Sequence, residues 1–212
     1  VDNLFMVSTL TAFENLLFGF GVHPTTVVGP ILDPLELINA TANAELYAQG
    51  LAPTHIYTGP FWSFYTALGG GGATLALAFL LLRSKSKQMK EVGRIAIIPS
   101  LFNINEPILF GVPFILNPTF FIPLLLGPLV NVFITYFAFT TGIAAGMGNP
   151  LAAAWNFPSF LAGFLCTNSW TGVALVVVNF LVYFAIYYPF FKIYEKKSLQ
   201  EEGRLENEKV SA

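Results

Sequence analysis

A single carboxylate in a long apolar part of the chain is the first group that could do chemistry. Within residues 95–191 the only charged side chain is Glu106, which lies in the Asn-Ile-Asn-Glu-Pro sequence of residues 103–107. A carboxylate near the middle of a membrane costs about 3 kcal/mol, so it normally faces a cavity or a partner. Sugars present rows of hydroxyls, which carboxylates and amides match with hydrogen bonds. Glu106 and Asn105 are therefore candidate sugar ligands.

The same cluster also has a structural interpretation. Glu106 would then cap a helix that begins at Pro107, because proline suits the first position of a helix. This interpretation does not exclude a role in binding, because a residue at a helix start can still face a cavity.

Two further side chains could contact a sugar. His23 lies between a glycine-containing segment and Pro24, at a predicted helix break of the kind where transporters gather binding groups. Trp155 could stack on the face of a sugar ring, or it could be an aromatic anchor at a membrane interface. His55 lies in a loop-like segment and is interpreted as structural. The two histidines are far apart and lack metal-ligand spacing, so no metal site is expected.

The composition restricts the class of protein. Apolar residues make up 55% of the 212 residues and charged residues 10%, whereas a soluble domain carries about 25% charged residues. Residues 46–82 contain no Asp, Glu, Lys or Arg. No basic, aromatic-rich pattern points to nucleic acid, and the lone Cys166 excludes a disulfide framework. The sequence predicts an all-α, polytopic membrane protein with spanning helices and re-entrant, proline-broken hairpin segments.

Charge distribution predicts the topology. All Lys and Arg residues fall within residues 83–94 and 192–209, and both clusters are expected on the cytoplasmic side. The C-terminus is then cytoplasmic too, and the number of full crossings between the clusters is even. Asp33, Glu36 and Glu45 have no basic neighbours and are expected on the outer side.

The segments follow from apolar runs and from Pro and Gly breaks. Residues 1–192 are assigned to the membrane domain and residues 193–212 to a polar cytoplasmic tail or linker, expected to be disordered. The chain starts without Met, inside an apolar segment, and is interpreted as a fragment that lacks upstream elements. Within the membrane domain we expect a helix at 4–22, a loop or partly inserted piece at 24–50 with a short helix near 39–49, a span at 57–82, a surface segment at 84–98, a re-entrant hairpin at 104–117, a span at 120–143, an ambiguous segment at 151–167 and a span at 170–191.

Several of these stretches together resemble one family. The glycine run followed by Ala-Thr-Leu in residues 67–75, the Ser-Lys-Ser-Lys of residues 84–87, the stretch 102–111 and the end of the last span at 187–192 resemble the lactose/cellobiose/chitobiose family of phosphotransferase-system enzyme IIC components. The resemblance runs from about Leu16 to Lys192 and corresponds to the C-terminal part of a permease.

The resemblance implies a function and a site. A family member is a dimeric permease that is surrounded by the lipids of the bacterial cell membrane. It binds a disaccharide. The 6-hydroxyl of that disaccharide is phosphorylated by a phosphocysteine on the partner enzyme IIB. No cofactor is implied, and the enzyme IIB domain is expected on a separate chain. Glu106 and His23 resemble the pair near the reactive hydroxyl and are the candidate catalytic residues. The candidate substrate-binding group consists of His23, Asn105, Glu106, Trp155, Phe18 and Thr26.

The sequence departs from the family pattern at several positions. Pro24 stands where the family usually has glycine, Phe18 stands where a tryptophan is common, and residues 155–158 read Trp-Asn-Phe-Pro in place of Trp-Thr-x-Pro. Two other classes stay open on the residues alone. One is an ion-coupled secondary sugar transporter with Glu106 as proton carrier, and the other is a membrane scaffold in which Glu106 only caps a helix.

Overall fold

The computed structural model describes residues 2–149 and 155–211, and these residues form helices and turns without a β-strand. The prediction of an all-α chain is therefore confirmed. A π-helical segment occupies Phe61–Thr66, and the α-helices are α1 (Leu4–Gly19), α2 (Pro24–Val27), α3 (Gly29–Ala48), α4 (Leu75–Leu82), α5 (Lys87–Leu101), α6 (Glu106–Gly111), α7 (Pro118–Thr140), α8 (Ser159–Thr167) and α9 (Trp170–Ser211).

Two helices are long and apolar enough to cross a membrane, and they pack against each other. Helix α7 has 23 residues and is about 35 Å long, against a hydrocarbon core of about 30 Å. Helix α9 has 42 residues, so it is about 63 Å long and extends well beyond one membrane thickness. These helices match the spans expected at 120–143 and 170–191. Residues 193–211, which we expected to be disordered, continue α9.

The segment between Pro24 and Gly50 differs from the expected loop. Helix α3 runs from Gly29 to Ala48 although it contains Pro30 and Pro34. Pro30 lies in the first turn, where a missing backbone N–H costs no helical hydrogen bond. Pro34 follows just after that turn and interrupts the ladder only at the helix start. The prolines therefore mark the beginning of a helix, and the prediction of a broken segment was wrong.

The expected span at 57–82 is not one helix. The π-helical segment ends at Thr66, and a non-helical stretch with positive φ at Gly69, Gly70 and Gly72 precedes α4. Hydroxyls from α9 replace the lost helical partners, since Tyr183 donates to the Thr66 carbonyl and Tyr187 to the Gly72 carbonyl. Irregular backbone at membrane depth is tolerated where protein surrounds it.

A proline-broken element follows α5, as the sequence predicts. Helix α6 has only 6 residues, and non-helical residues lead from it to α7. This stretch returns towards α1, because the Leu116 amide donates to the Gly19 carbonyl over 3.0 Å. The break places the start of α6 beside the glycine-rich stretch.

The two basic clusters lie on the same face of the molecule. In the loop before α5, Ser84 Oγ and the Lys85 amide each donate to Glu195 Oε1 over 2.8 Å. Ser86 Oγ donates to Glu202 Oε1 over 2.7 Å. The second half of α9 is thereby fixed to residues 84–88, so the two basic clusters lie close together.

His55 has a structural role, as expected. Its ring Nδ1 lies 3.0 Å from Asp2 Oδ2, and Asn43 Oδ1 accepts hydrogen bonds from the Thr54 and His55 amides at 3.1 and 2.9 Å. These contacts hold the connection between α3 and the π-helical segment.

Candidate functional site

One cavity brings together most of the side chains that the sequence singles out. It has a volume of about 450 Å³, within the range of about 300–1,000 Å³ typical of ligand pockets. Its lining comprises His23, Thr25, Trp62, Ser63, Ala67, Gly70, Gly71, Asn103, Asn105, Glu106 and Trp155. We call it the Glu106 cavity.

Glu106 lies in the first turn of α6, one residue after the N-cap Asn105. Its side chain is exposed, and no hydrogen bond or ion pair to a described residue holds its carboxylate. The negative charge is favourable at a helix N-terminus, but the side chain does not close the capping hydrogen bond of the structural interpretation. The carboxylate is free to accept hydrogen bonds from a ligand in the cavity.

Asn103 uses its side chain inside the protein. It adopts a left-handed backbone with φ 62°, a region in which Asn is enriched. Its Oδ1 accepts from the Gly69 amide at 2.9 Å and from Ser159 Oγ at 3.2 Å. Its Nδ2 donates to the Trp155 carbonyl at 2.8 Å. Asn103 therefore links the glycine-rich stretch to the start of α8, and it positions the cavity wall rather than offering a free amide.

Asn105 makes a single side-chain hydrogen bond. Its Nδ2 donates to the Gly71 carbonyl over 2.6 Å, which fixes the residue that precedes Glu106 against the glycine-rich stretch. The close approach requires glycine at position 70, where φ is +96° and a Cβ would lie 2.8 Å from the Asn103 carbonyl oxygen and 2.9 Å from Asn105 Cγ. Gly70 therefore permits the contact that forms this wall.

His23 is the N-cap residue of the short helix α2, which starts at Pro24. The fixed φ of proline is preorganised for the first helical position, so Pro24 fits where the family pattern has glycine. His23 Nδ1 lies 2.7 Å from Thr25 Oγ1. This contact orients the imidazole and leaves Nε2 without a partner among the described residues, available to a ligand.

An aromatic wall faces these polar groups. Trp155 is 59% exposed and lines the cavity together with Trp62. Trp62, Ser63 and Thr25 were missed by the sequence analysis. Trp62 belongs to an uncharged, aromatic segment that looks like a spanning helix in the sequence. The one sequence feature that could have indicated its place in the cavity is that it lies close to the glycine run.

Two of the predicted binding residues do not line the cavity. Phe18 is buried, with its ring edge-on to His23 at 6.1 Å between centroids, and a Cβ on Gly71 would lie 2.8 Å from its Cε2. Phe18 thus supports the cavity wall from behind. Thr26 is exposed, and its backbone amide donates to the His23 carbonyl over 3.1 Å. Its neighbour Thr25 occupies the position that we expected for Thr26.

A larger cavity of about 850 Å³ lies between the connection at 50–56 and residues 139–147. No Asp or Glu is among its lining residues, so it offers no carboxylate to a polar ligand. The Glu106 cavity, which combines a free carboxylate, an imidazole and two indoles, is the better candidate for sugar binding.

Comparisons with known proteins agree with this arrangement. The family model for the phosphotransferase system, EIIC, matches residues 1–128. The chain is 38% identical over 197 residues to the lichenan permease IIC component of Bacillus subtilis (strain 168), covering 92% of this chain and 43% of the relative. It is 40% identical over 191 residues to the cellobiose-specific EIIC component of Geobacillus stearothermophilus, covering 88% of this chain and 42% of the relative.

A solved structure has the same fold. The crystal structure of the transporter ChbC, the IIC component of the N,N'-diacetylchitobiose-specific phosphotransferase system, superposes with a TM-score of 0.91 at 34% identity and covers 95% of this chain and 47% of that chain. The chain thus spans a little under half the length of the proteins it matches. The matched segments include the glycine run and the Asn-Glu-Pro turn that form the cavity wall, and they confirm the resemblance drawn from the sequence. The chain belongs to the phosphotransferase system EIIC family.

Proposed function

We propose that this chain is the sugar-binding part of a phosphotransferase permease, which holds a disaccharide of the cellobiose, chitobiose or lactose type for phosphorylation by enzyme IIB. One observation carries the proposal. The unpaired Glu106 carboxylate, the His23 imidazole and the exposed face of Trp155 line a single cavity of about 450 Å³. A carboxylate and an imidazole match sugar hydroxyls, and an indole matches the apolar face of a ring.

Glu106 and His23 act on the reactive hydroxyl in this proposal. The 6-hydroxyl oxygen attacks the phosphorus of the phosphocysteine on enzyme IIB, the P–O bond forms as the P–S bond breaks, and the hydroxyl proton passes to Glu106 or His23. Positioning of the acceptor supplies most of the catalysis in such transfers. Asn105 and Trp155 orient the ring, whereas Phe18 supports the wall and Thr26 supports the His23 backbone.

The family context supports the choice of ligand and partners. Relatives are named for lichenan, for cellobiose and for N,N'-diacetylchitobiose, which favours a di- or oligosaccharide. Enzyme IIB approaches from the cytoplasm, the side to which the basic clusters around residues 83–94 and 192–209 are assigned. The full-length permease is a homodimer in the bacterial cell membrane.

Uptake by sealed vesicles tests the reaction class. Vesicles that contain the full-length permease should accumulate labelled cellobiose as cellobiose phosphate, and only when phosphoenolpyruvate and the soluble phosphotransferase proteins including enzyme IIB are supplied. Accumulation of unmodified sugar under a pH gradient would instead identify an ion-coupled transporter with Glu106 as proton carrier.

The Glu106→Gln variant tests the role of Glu106 in sugar binding. Its affinity for cellobiose should fall by about ten- to a hundredfold, because a hydrogen bond to a charged group contributes about 1.5–3 kcal/mol. Glu45→Gln is the matched control, since Glu45 is an exposed carboxylate outside the cavity and its loss should leave affinity unchanged. Equal affinities of the Glu106→Gln variant and the unmodified protein in equilibrium binding would contradict the role of Glu106.

A further inference from the structure

A basic groove lies where the apolar part of α9 ends. It has a volume of about 500 Å³, and its lining comprises Lys85, Lys192, Glu195, Lys196, Leu199 and Gln200. We call it the lysine groove. Its three ammonium groups and one carboxylate give it a net charge of +2. None of its residues lines the Glu106 cavity, so the groove is separate from the proposed sugar site.

The position of the groove along α9 places it at the surface of the membrane. From Trp170 to Phe191 the helix is uncharged and about 33 Å long, close to the hydrocarbon thickness of about 30 Å. Lys192 is the first charged residue after this stretch. The exposed Tyr188 lies one turn before it, and tyrosine is enriched at the level of the lipid headgroups. The lysine groove therefore begins where a bilayer presents its phosphates.

Glu195 holds the two sides of the groove in place. It is only 4% exposed. Its Oε1 accepts from the Lys85 amide over 2.8 Å, and its Oε2 accepts from Lys192 Nζ over 2.7 Å. Lys192 Nζ also lies 5.7 Å from the centroid of the Tyr188 ring, a cation–π contact. The Lys85 backbone and the Lys192 ammonium are thus ordered before a ligand arrives, which lowers the entropic cost of binding.

Two positive charges of the groove are not balanced by the protein. Lys192 offsets the charge of Glu195, but Lys85 and Lys196 form no ion pair within the part of the chain that the structure describes. Lys196 follows Lys192 by one helical turn, on the same face of α9. The exposed Leu199 lies in the next turn of that face. The groove thus combines two unbalanced ammonium groups with an apolar side chain.

We propose that the lysine groove binds the headgroup of an anionic phospholipid, with the lipid phosphate between Lys85 and Lys196. Basic pockets beside membrane-spanning helices attract such headgroups. A lipid fits this place better than a soluble anion, because its acyl chains can lie along the apolar part of α9 while its phosphate stays at the level of Lys192. A zwitterionic lipid brings its own cation, which three lysines repel. Phosphatidylglycerol, with one negative charge and no cation, is the matching chemistry.

Lipid binding to the full-length permease tests the proposal. The detergent-solubilised protein is titrated with phosphatidylglycerol or phosphatidylcholine, and bound lipid is counted by native mass spectrometry. Phosphatidylglycerol should saturate a site that phosphatidylcholine fills only weakly. Lys85→Gln and Lys196→Gln should each weaken its binding by about fivefold, the effect of one lysine beside a membrane surface. Lys196→Arg, which keeps the charge, should bind phosphatidylglycerol like the unmodified protein.

Lys197→Gln is the matched control. Lys197 is exposed and adjoins Lys196 in the sequence, but it lies outside the groove, so its loss should leave the affinity for phosphatidylglycerol unchanged. Cellobiose affinity should stay constant in all of these variants, which shows that each has folded and separates this test from that of the sugar site.

Four outcomes would overturn the proposal. Equal losses in Lys196→Gln and Lys197→Gln would show a general attraction of charge in place of a site. Equal binding of the two lipids would remove the role of the headgroup charge. Displacement of the lipid by inorganic phosphate at millimolar concentration would identify a site for free anions. Normal lipid binding by the groove variants, together with a higher KM for enzyme IIB in cellobiose phosphorylation, would assign the groove to enzyme IIB.

Discussion

Asn103 and Asn105 lie close to Glu106 in the sequence, but their side chains make different contacts. Asn103 joins the Gly69 amide, the Trp155 carbonyl and Ser159 in one network, whereas Asn105 makes a single contact with the glycine-rich stretch. Of the three, Glu106 is the residue whose side chain makes no hydrogen bond within the described part of the chain. The sequence shows that these three residues are polar and close together. It does not show which of their polar atoms bond within the protein and which face the cavity.

Asn103→Ala should therefore destabilise the protein strongly. The substitution leaves the buried Gly69 amide without a partner and also removes the hydrogen bonds to the Trp155 carbonyl and Ser159 Oγ, at a cost of about 2–4 kcal/mol. Asn3→Ala is the comparison, because it removes one N-cap hydrogen bond of 2.9 Å at the exposed start of α1 and should cost about 1 kcal/mol. Thermal unfolding of the purified full-length variants should rank them in this order. Similar Tm values for the two variants would contradict the role of Asn103 as a link.

The shape of the Glu106 cavity depends on where the helices around it begin and end. The cavity wall forms because the π-helical segment ends at Thr66 and the chain does not become helical again until α4. The sequence predicted one continuous span over residues 57–82, which contain this glycine run. The structure instead uses three of these glycines at positive φ, so that carbonyls and amides can meet Asn103 and Asn105.

Gly70→Ala should abolish the site. A side chain at φ +96° is strained, and its Cβ would lie 2.8 Å from the Asn103 carbonyl oxygen, which only a backbone shift can relieve. We expect cellobiose binding to be lost together with about 2–4 kcal/mol of stability. Gly203→Ala is the matched control, because nothing lies within 4 Å of a Cβ there and a helical glycine-to-alanine change gains up to about 1 kcal/mol. Native affinity in the Gly70→Ala variant would show that the wall does not depend on this close approach.

Helix α9 connects distant parts of the whole molecule. Its membrane-depth half supplies Tyr183 and Tyr187 to the carbonyls of the broken segment, and its polar half binds the loop before α5 through Glu195 and Glu202. The Gln88 amide donates to Glu202 Oε1 over 3.0 Å. One long helix thereby fixes both the cavity wall and the basic loop.

The contact between Glu202 and this loop should depend on pH. The hydrogen bond from the Gln88 amide, with further bonds from Ser86 and Lys87, holds the pKa of Glu202 below its usual value of 4.5. A lowered folded-state pKa means that the contact stabilises the protein above pH 4.5 and is lost as the pH falls through the lower pKa of the folded state.

Hydrogen exchange measures this effect locally. At pH 7 the Glu202→Gln variant should exchange its Lys87 and Gln88 amides several-fold faster than the unmodified protein, since a hydrogen bond to a charged group is worth more than one to a neutral amide. The difference should shrink in samples exposed to pH below 4. Glu201→Gln, the exposed neighbour on the same turn of α9, should have no effect. A difference that is constant with pH would show that the charge of Glu202 does not contribute.

The family relation also bears on the whole molecule. The chain covers 47% of the ChbC chain with a TM-score of 0.91, so it has the same helical arrangement as the corresponding part of that relative. The long helices α7 and α9 were predictable because their apolar runs are continuous. Helix α3 and the break at Gly69–Gly72 were not, because proline and glycine have opposite effects in different positions of a helix.

The sequence by itself determined the membrane class, the two long spans, the two basic clusters and the candidate sugar ligands, because charge and hydropathy are properties of the residues alone. It also singled out Glu106, since one acid among so many apolar residues is conspicuous. Only the tertiary structure decided that His23, Trp155 and Glu106 line one cavity, that Thr25 lines it instead of Thr26, and that Lys85 and Lys196 line one groove. These outcomes depend on where helices end and on how closely glycine lets two backbones approach, and such contacts between distant residues are not encoded in any local pattern.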